Sequence, residues 1–133
     1  MAENKGVIAT FSFSTGNKKY EVLKCSYGFK QNYDSSNKPS GFPAINIIKL
    51  VVKATDETDF VDWMVSPRAE KDGEIVIKLT DSRFRKVRFT RGYCVEYCED
   101  FDSYSGNAFL INMAILVKEI HVNDITYKVE WSN

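Results

Sequence analysis

Cys94, Cys98 and His121 are the residues whose types could bind a metal ion or support nucleophilic catalysis. The chain has three cysteines and a single histidine. On a strand, which rises about 3.3 Å per residue, the four-residue spacing separates the two sulfurs by roughly 13 Å. Zinc holds each ligand about 2.3 Å away, and a disulfide requires Cα atoms within about 7 Å. Unless a bulge intervenes, the spacing excludes both, and we interpret Cys94 and Cys98 as small buried apolar residues.

His121 would have to serve any Ser-His or Cys-His pair, because it is the only histidine. It lies beside Asn123 and Asp124 at a predicted hairpin, where a role in the turn is sufficient to explain it. The chain contains neither a Gly-x-Ser-x-Gly nucleophile elbow nor a glycine-rich phosphate loop. We therefore expect no catalytic centre, no cofactor and no metal.

Residues 83–91 carry basic side chains interleaved with aromatic ones, a pattern found on surfaces that bind single-stranded nucleic acid. Phe89, however, has the same strand parity as Val87, which predicts that it faces the core. Lysine plus arginine and aspartate plus glutamate each number 18, so the chain lacks the net basic charge of most nucleic-acid binders. We expect the basic residues to line an exposed face or to meet acids on a neighbouring subunit.

Alternating apolar residues predict strands along most of the chain. A slip in the alternation near Leu23 and Lys24 indicates either a β-bulge or burial on both faces. Turn signals occur at Lys71–Gly73 and at Asp81–Ser82. The pattern predicts one domain, residues 1–133, that is mainly β: an antiparallel barrel or sandwich of about eight strands with one short α-helix. The predicted strands are Val7–Phe13, Tyr20–Phe29, Phe42–Ala54, Ile75–Leu79, Val87–Tyr97, Phe109–Ile120 and Ile125–Trp131.

The helix is predicted over residues 56–64, with Thr55 or Asp56 as its cap and Pro67 ending it. Phe60, Trp63 and Met64 follow the spacing i, i+3, i+4 and therefore share one face. We predict that these three side chains form the face by which the helix docks on the core.

The segment from Gln31 to Gly41 is the most polar and turn-rich part of the chain. It exceeds the usual hairpin loop, and loops of this length are commonly functional or disordered. Its central residues are Asn32, Tyr33, Asp34, Ser35, Ser36, Asn37 and Lys38.

No apolar segment is long enough for a secretory signal or a membrane span, because Asn46, Lys49 and Lys53 interrupt the longest one, Ala44–Ala54. Together with an odd number of cysteines, this predicts synthesis and folding in the cytoplasm.

Five segments, which follow one another along the chain in the order expected for the family, resemble the tube protein of bacterial type VI secretion systems. This is the Hcp or TssD family, and the resemblance is greatest to its Bacteroidetes branch. The likeness covers roughly residues 6–120. The sequence departs from the pattern of this branch at Asn107–Leu110 and at Asn112–Ala114, near the expected subunit contacts or lumen. The segments are Tyr20–Tyr27, Asp59–Met64, Lys71–Ile77, Val87–Phe89 and Gly92–Asp102.

The resemblance implies a structural subunit that forms hexameric rings. Such rings stack into a tube inside a contractile sheath, behind a spike, and the tube carries effectors and is secreted without a cleaved signal peptide. It also implies that the loop containing residues 32–38 contacts the next ring. Two alternatives remain open: a barrel of the lipocalin kind that binds a small molecule, and the tail tube of a phage or an extracellular injection system.

Overall fold

The computed structural model describes residues 8–28, 47–66, 69–104, 106 and 108–128. Within them lie seven strands and one helix. The predicted segments 42–46 and 129–131, Pro67 and the loop residues 32–38 lie outside the described residues. The elements are β1 (Ala9–Phe13), β2 (Tyr20–Tyr27), β3 (Ile47–Lys53), α1 (Asp59–Val65), β4 (Lys71–Thr80), β5 (Arg83–Phe101), β6 (Phe109–Val122) and β7 (Ile125–Lys128).

The strands form one antiparallel sheet that closes on itself. Its order is β3-β2-β1-β4-β5-β6-β7, and β3 also pairs with β6, which completes a six-stranded barrel with β7 as an extra strand on β6. The predicted fold class is thus confirmed as a barrel. Because neighbouring strands are antiparallel, successive connections alternate between the two ends of the barrel. The end that carries α1 and the β5–β6 turn is called the α1 end. The opposite end, which carries the β4–β5 and β6–β7 turns, is called the β4–β5 end.

The core consists of the inward-facing residues of the strands, as the period of two requires. In β3, Ile48, Leu50 and Val52 are at most 1% exposed, and Lys49 between them is exposed. Ile115 and Val117 of β6 are completely buried.

Helix α1 packs its aromatic residues on the barrel at β1 and β5. Phe60 and Trp63 are each 1% exposed, and the Trp63 ring stacks on Phe89 at 6.4 Å between centroids. The indole N–H of Trp63 donates a 3.1 Å hydrogen bond to the carbonyl of Ala69. The prediction for Met64 is wrong: it is 37% exposed, because a helix this short turns only a narrow face toward the barrel.

The predicted helix start is also wrong. The helix begins at Asp59 with Thr58 in the capping position, and no side chain caps it. The Thr55 hydroxyl instead accepts a 3.1 Å hydrogen bond from the amide of Glu57, within the segment that leads into the helix.

The Lys71–Gly73 segment, predicted as a tight turn, is the first part of β4. Gly73 lies between two aromatic rings, where a Cβ atom would come within 2.8 Å of both Phe11 and Phe89. The missing side chain therefore serves packing inside the sheet. The turn predicted at Asp81–Ser82 is present between β4 and β5.

Register shifts interrupt strands β2, β4 and β5. The predicted slip in β2 is a register shift between Val22 and Lys24, so the bulge interpretation is confirmed. In β5 the predicted single parity from Val87 to Tyr97 is wrong, because one shift lies between Phe89 and Gly92 and another between Cys94 and Glu96. After the first shift Gly92 and Cys94 face the core, which leaves Val95 43% exposed.

Candidate assembly surfaces

A groove of about 650 Å³ runs across the outer face of the strands β2, β3, β6 and β5. The strands present short and charged side chains there, because their larger apolar residues face the core. The lysines come from β2 and β3, and the acid comes from β5 on the opposite side. The groove is lined by Lys24, Ser26, Lys49, Leu50, Val51, Glu96, Tyr97, Cys98, Asn112, Met113 and Ala114.

The sheet beneath this groove has a free edge on each side. Residues 22–27 of β2 pair with β3, and among the described residues only Tyr20 and Glu21 of β2 pair with β1. On the other side, β4 pairs with β5 no further than Gly92, so residues 94–101 of β5 pair with β6 alone within the described chain. Unpaired edges present backbone N–H and C=O groups to whatever lies alongside.

Each free edge carries a bulge with an exposed apolar residue. Leu23 lies at the shift in β2 and is 37% exposed, and Val95 lies at the shift in β5 and is 43% exposed. Bulges at edges limit indiscriminate strand pairing. Here they also place an aliphatic side chain at the margin of the sheet.

A cleft of about 390 Å³ lies beside the free edge of β2, where β2 separates from β1 and β4. One wall is the bulged strand with Val22 and Leu23, and the other includes Ile8 and Ile77. Ile8 is 63% exposed. An aliphatic cleft along a free strand edge fits a strand of another subunit better than it fits water.

The structure separates the cysteines. Cys94 is buried and Cys98 is exposed in the groove, so the interpretation of Cys98 as buried is wrong. The bulge at residue 95 causes this, because it changes which face the following residues occupy. Burial raises the pKa of the Cys25 and Cys94 thiols to about 11, which keeps both protonated and poorly nucleophilic at neutral pH.

His121 is part of strand β6 near the turn to β7. Its Nδ1 lies 2.8 Å from the Thr126 hydroxyl and its Nε2 lies 3.1 Å from a Glu119 carboxylate oxygen. The contact with Thr126 joins β6 to β7, the contact with Glu119 lies within β6, and neither brings a cysteine to the histidine. Within the described ranges, no group of three or more His, Cys, Asp or Glu side chains is placed to hold a metal ion.

Sequence reasoning missed the free edges and the groove, since both depend on which distant strands pair. The break in the apolar alternation at Leu23 was the one local signal of the bulge at the β2 edge. Of the predicted site residues, the structure brings Phe60 and Trp63 together in the core, whereas residues 32–38 lie outside the described chain.

Solved structures with a similar fold include Hcp proteins and a chain of a contractile injection system. Hcp1 from Flavobacterium johnsoniae is 28% identical to this chain, with a TM-score of 0.80, over 91% of this chain and 98% of that one. Hcp1 from E. coli EAEC 042 shares 10% identity, with a TM-score of 0.69, over 96% and 100%. The sheath-tube complex of an extracellular contractile injection system, PVC, contains a chain 17% identical, with a TM-score of 0.56, over 94% and 91%.

Among curated proteins, no sequence matches this chain. The model of the TssD family, described as hemolysin coregulated protein Hcp, matches residues 6–132. The family match spans almost the whole chain, and the barrel with its single described helix agrees with the Hcp structures. This chain therefore belongs to the Hcp (TssD) family and is a tube subunit of a type VI secretion system.

Proposed function

The four strands under the groove, β2, β3, β6 and β5, form a four-stranded sheet within the barrel. We propose that six copies of this chain close into a ring through the free edges of this sheet, and that rings stack into the inner tube. Residues 1–133 act as a single subunit domain. The observation that carries the proposal is the pair of free edges, β2 on one side and β5 on the other.

The two edges differ, so the contact between copies is heterologous. The edge of β5 with Val95 would enter the cleft beside β2, where Leu23 and Ile8 offer aliphatic surface. A heterologous contact generates a ring when its rotation closes and a filament when it does not. The equal numbers of acidic and basic residues favour such self-association, because copies do not repel one another through net charge.

The subunit acts by assembly and not by catalysis, and binds no metal or cofactor. The sheath and spike of the same system are its partners, and effectors travel with the tube. We propose that it is folded in the cytoplasm and leaves the cell with the tube, without a cleaved signal peptide. Within the residues that the structure describes, no helix is long and apolar enough to cross a membrane.

A filled barrel interior argues against the small-molecule-binding alternative. Phe11, Ile75 and Val87 come from three neighbouring strands and are completely buried. Phe11 also stacks on Phe89 with 6.1 Å between ring centroids. These side chains occupy the space that a ligand cavity would need.

Light scattering on the purified chain tests the ring. We expect a species near six times 15.2 kDa. The variant Val95→Lys places an ammonium at the β5 edge and should yield folded monomers, whereas Val65→Lys, the same change on the exposed face of α1, should retain the ring. Circular dichroism checks that both variants are folded. A wild-type protein that stays monomeric at high concentration, or a Val95→Lys variant that still forms rings, would contradict the proposal.

A further inference from the structure

Strand β5 separates from β4 at a corner formed by Arg91 and Gly92. Residues 83–89 run beside β4 from the β4–β5 end toward the α1 end, and the pairing of the two strands stops at Gly92. Beyond the corner, residues 94–101 pair with β6 alone among the described strands and form the free edge of β5. Strands commonly pass from one sheet to another at a bulge. The corner therefore decides where the free edge begins and in which direction it runs.

The backbone at the corner is tightly constrained. Arg91 has a φ of 55°, in the left-handed region that residues other than glycine rarely adopt. Its backbone N–H donates a 2.9 Å hydrogen bond to the carboxylate of Asp72. At Gly92 an added Cβ atom would lie 2.7 Å from the Phe89 ring and 3.0 Å from Ile115. An unfavourable conformation of this kind persists only where surrounding contacts maintain it, and such conformations are frequent at functional sites.

One carboxylate contacts both sides of the corner. The guanidinium of Arg91 donates to both oxygens of Glu70, at 3.2 and 3.1 Å, and the Tyr93 hydroxyl donates to one of them at 2.6 Å. Arg91 precedes Gly92 and Tyr93 follows it, so Glu70 bridges the two halves of β5 across the bend. The bidentate contact of an arginine with a carboxylate fixes direction as well as distance. We call these three residues the corner clamp: Glu70, Arg91 and Tyr93.

The corner clamp is anchored to the core through a neighbour in the chain. Glu70 follows Ala69, whose carbonyl accepts a 3.1 Å hydrogen bond from the indole N–H of Trp63. Trp63 is 1% exposed and stacks on Phe89, which precedes the corner in β5. The carboxylate is therefore held by the core and does not simply follow the strand that it contacts.

The exposure of the corner clamp limits its contribution to folding. The side chain of Arg91 is 52% exposed and that of Glu70 is 31% exposed. Exposed ion pairs contribute little to the free energy of unfolding, because water screens the charges. The positive φ of Arg91 also opposes folding. Three donated hydrogen bonds on one exposed carboxylate, at a strained corner, favour a role in placing the strand that follows.

We propose that the residues of the corner clamp are positioning residues for ring assembly. They hold the free edge of β5 at the angle that the cleft beside β2 of the next copy accepts. This inference rests on the proposed function, in which the β5 edge with Val95 makes the lateral contact. Val95 lies only two residues beyond Tyr93, so a change of angle at the corner displaces it relative to the cleft. Holding an edge in its bound geometry before contact lowers the cost of association.

The dissociation of rings on dilution tests the corner clamp. Tyr93→Phe and Glu70→Gln each break the bridge across the corner, and Arg91→Gly removes the guanidinium while relieving the positive φ. Each variant should raise the protein concentration at which rings are half dissociated by about tenfold or more, because the loss recurs at every contact of the ring. Light scattering over a dilution series measures this concentration.

The stability of the subunit alone is measured with the same substitutions in the Val95→Lys chain, which we expect to be monomeric. Urea midpoints in this background should fall only slightly, because the corner clamp is exposed. If the midpoints fall in parallel with the loss of rings, the three residues have only a structural role and the inference is wrong.

Asp72 provides a conservative rescue at the backbone of the corner. Asp72→Asn keeps a side-chain oxygen that accepts from the Arg91 N–H and should retain rings, whereas Asp72→Ala removes the acceptor and should weaken them. Equal ring dissociation in these two variants would contradict a role for the corner geometry.

A matched control makes the same chemical change at another exposed ion pair. Glu57→Gln removes the charge that pairs with Lys18 and should leave ring dissociation unchanged. Wild-type dissociation in all three variants of the corner clamp would overturn this inference alone. Absence of rings in the wild type would instead contradict the proposed function on which it rests.

Discussion

The aromatic cluster beneath α1 and the four-stranded sheet under the groove are built in opposite ways. In the cluster Phe11, Phe60, Trp63 and Phe89 are at most 1% exposed, and each ring packs on at least one other ring of the cluster. The sheet is buried on its inner face only, and it ends at two strand edges without partners among the described residues. One region is complete within the subunit, and the other leaves two strand edges that a second copy would pair in the proposed ring.

We expect this difference to separate the residues that fold the chain from those that assemble the proposed ring. Removing a buried ring leaves a cavity inside the subunit and lowers the free energy of unfolding. Changing Leu23 or Val95 at an edge alters what a neighbouring copy meets and leaves the core intact. The two regions should therefore respond to different measurements.

The largest expected effect is at Trp63 in the aromatic cluster. Trp63→Ala removes the ring that stacks on Phe89 and the hydrogen bond to the carbonyl of Ala69, and should lower the free energy of unfolding by about 3–5 kcal/mol. Denaturant titration at fixed protein concentration measures it. Met64→Ala, at a neighbouring exposed position, is the control and should cost about 1 kcal/mol or less. A similar loss in both variants would show that the cluster does not depend on burial.

Gly73 tests the same cluster by adding atoms. Gly73→Ala places a methyl group 2.8 Å from the rings of Phe11 and Phe89, and should lower the free energy of unfolding by about 1–3 kcal/mol. Gly16→Ala, where the added Cβ meets nothing within 4 Å, is the matched control. Equal thermal midpoints for the two variants would contradict the close packing at Gly73.

Local pattern predicted the features that depend on neighbours along the chain. Phe60 and Trp63 were found from their helical spacing, and the bulge at Leu23 from the broken alternation. Gly73 was misjudged because Lys-Asp-Gly is a common turn sequence, whereas here two rings from other strands require a residue without a side chain. The contacts that decide this are far apart in sequence, and no local rule contains them.

The free edges of the barrel also depend on pairing between distant strands. A bulge between Phe89 and Gly92 reverses the parity of β5, so the alternation that predicts Phe89 correctly fails at Val95.

Thiol reactivity compares buried and exposed positions at single cysteine side chains. Cys98 is exposed in the groove, whereas burial raises the pKa of Cys25 and Cys94 to about 11. At pH 8 we expect iodoacetamide to modify Cys98 first, at least about tenfold faster than the other two, because the thiolate is the reacting species. Peptide mass spectrometry over time identifies the site. Comparable rates at all three cysteines would contradict the burial of Cys25 and Cys94.

The smallest effect concerns an ion pair at the surface between the two regions. Arg91 has a φ of 55° in a bulge of β5, and its backbone N–H donates a 2.9 Å hydrogen bond to Asp72. Its guanidinium donates to both carboxylate oxygens of Glu70, at 3.2 and 3.1 Å, and the Tyr93 hydroxyl donates to the same carboxylate. These hydrogen bonds, first that from Arg91, hold the pKa of Glu70 below its ordinary value of 4.5.

A lowered pKa in the folded state means that the charged form of Glu70 stabilises the fold above the unfolded-state pKa, and that this contribution disappears as the pH falls through the folded-state pKa. Glu70→Gln should therefore lower the urea midpoint slightly at pH 7, and wild type and variant should converge below pH 4.5. Glu96→Gln, at an exposed glutamate whose side chain has no ion pair among the described residues, should leave the midpoint unchanged. If the urea midpoint of Glu70→Gln stays equally far below that of the wild type in acid, Glu70 acts through packing. A contribution from its charge would disappear when the carboxylate is protonated.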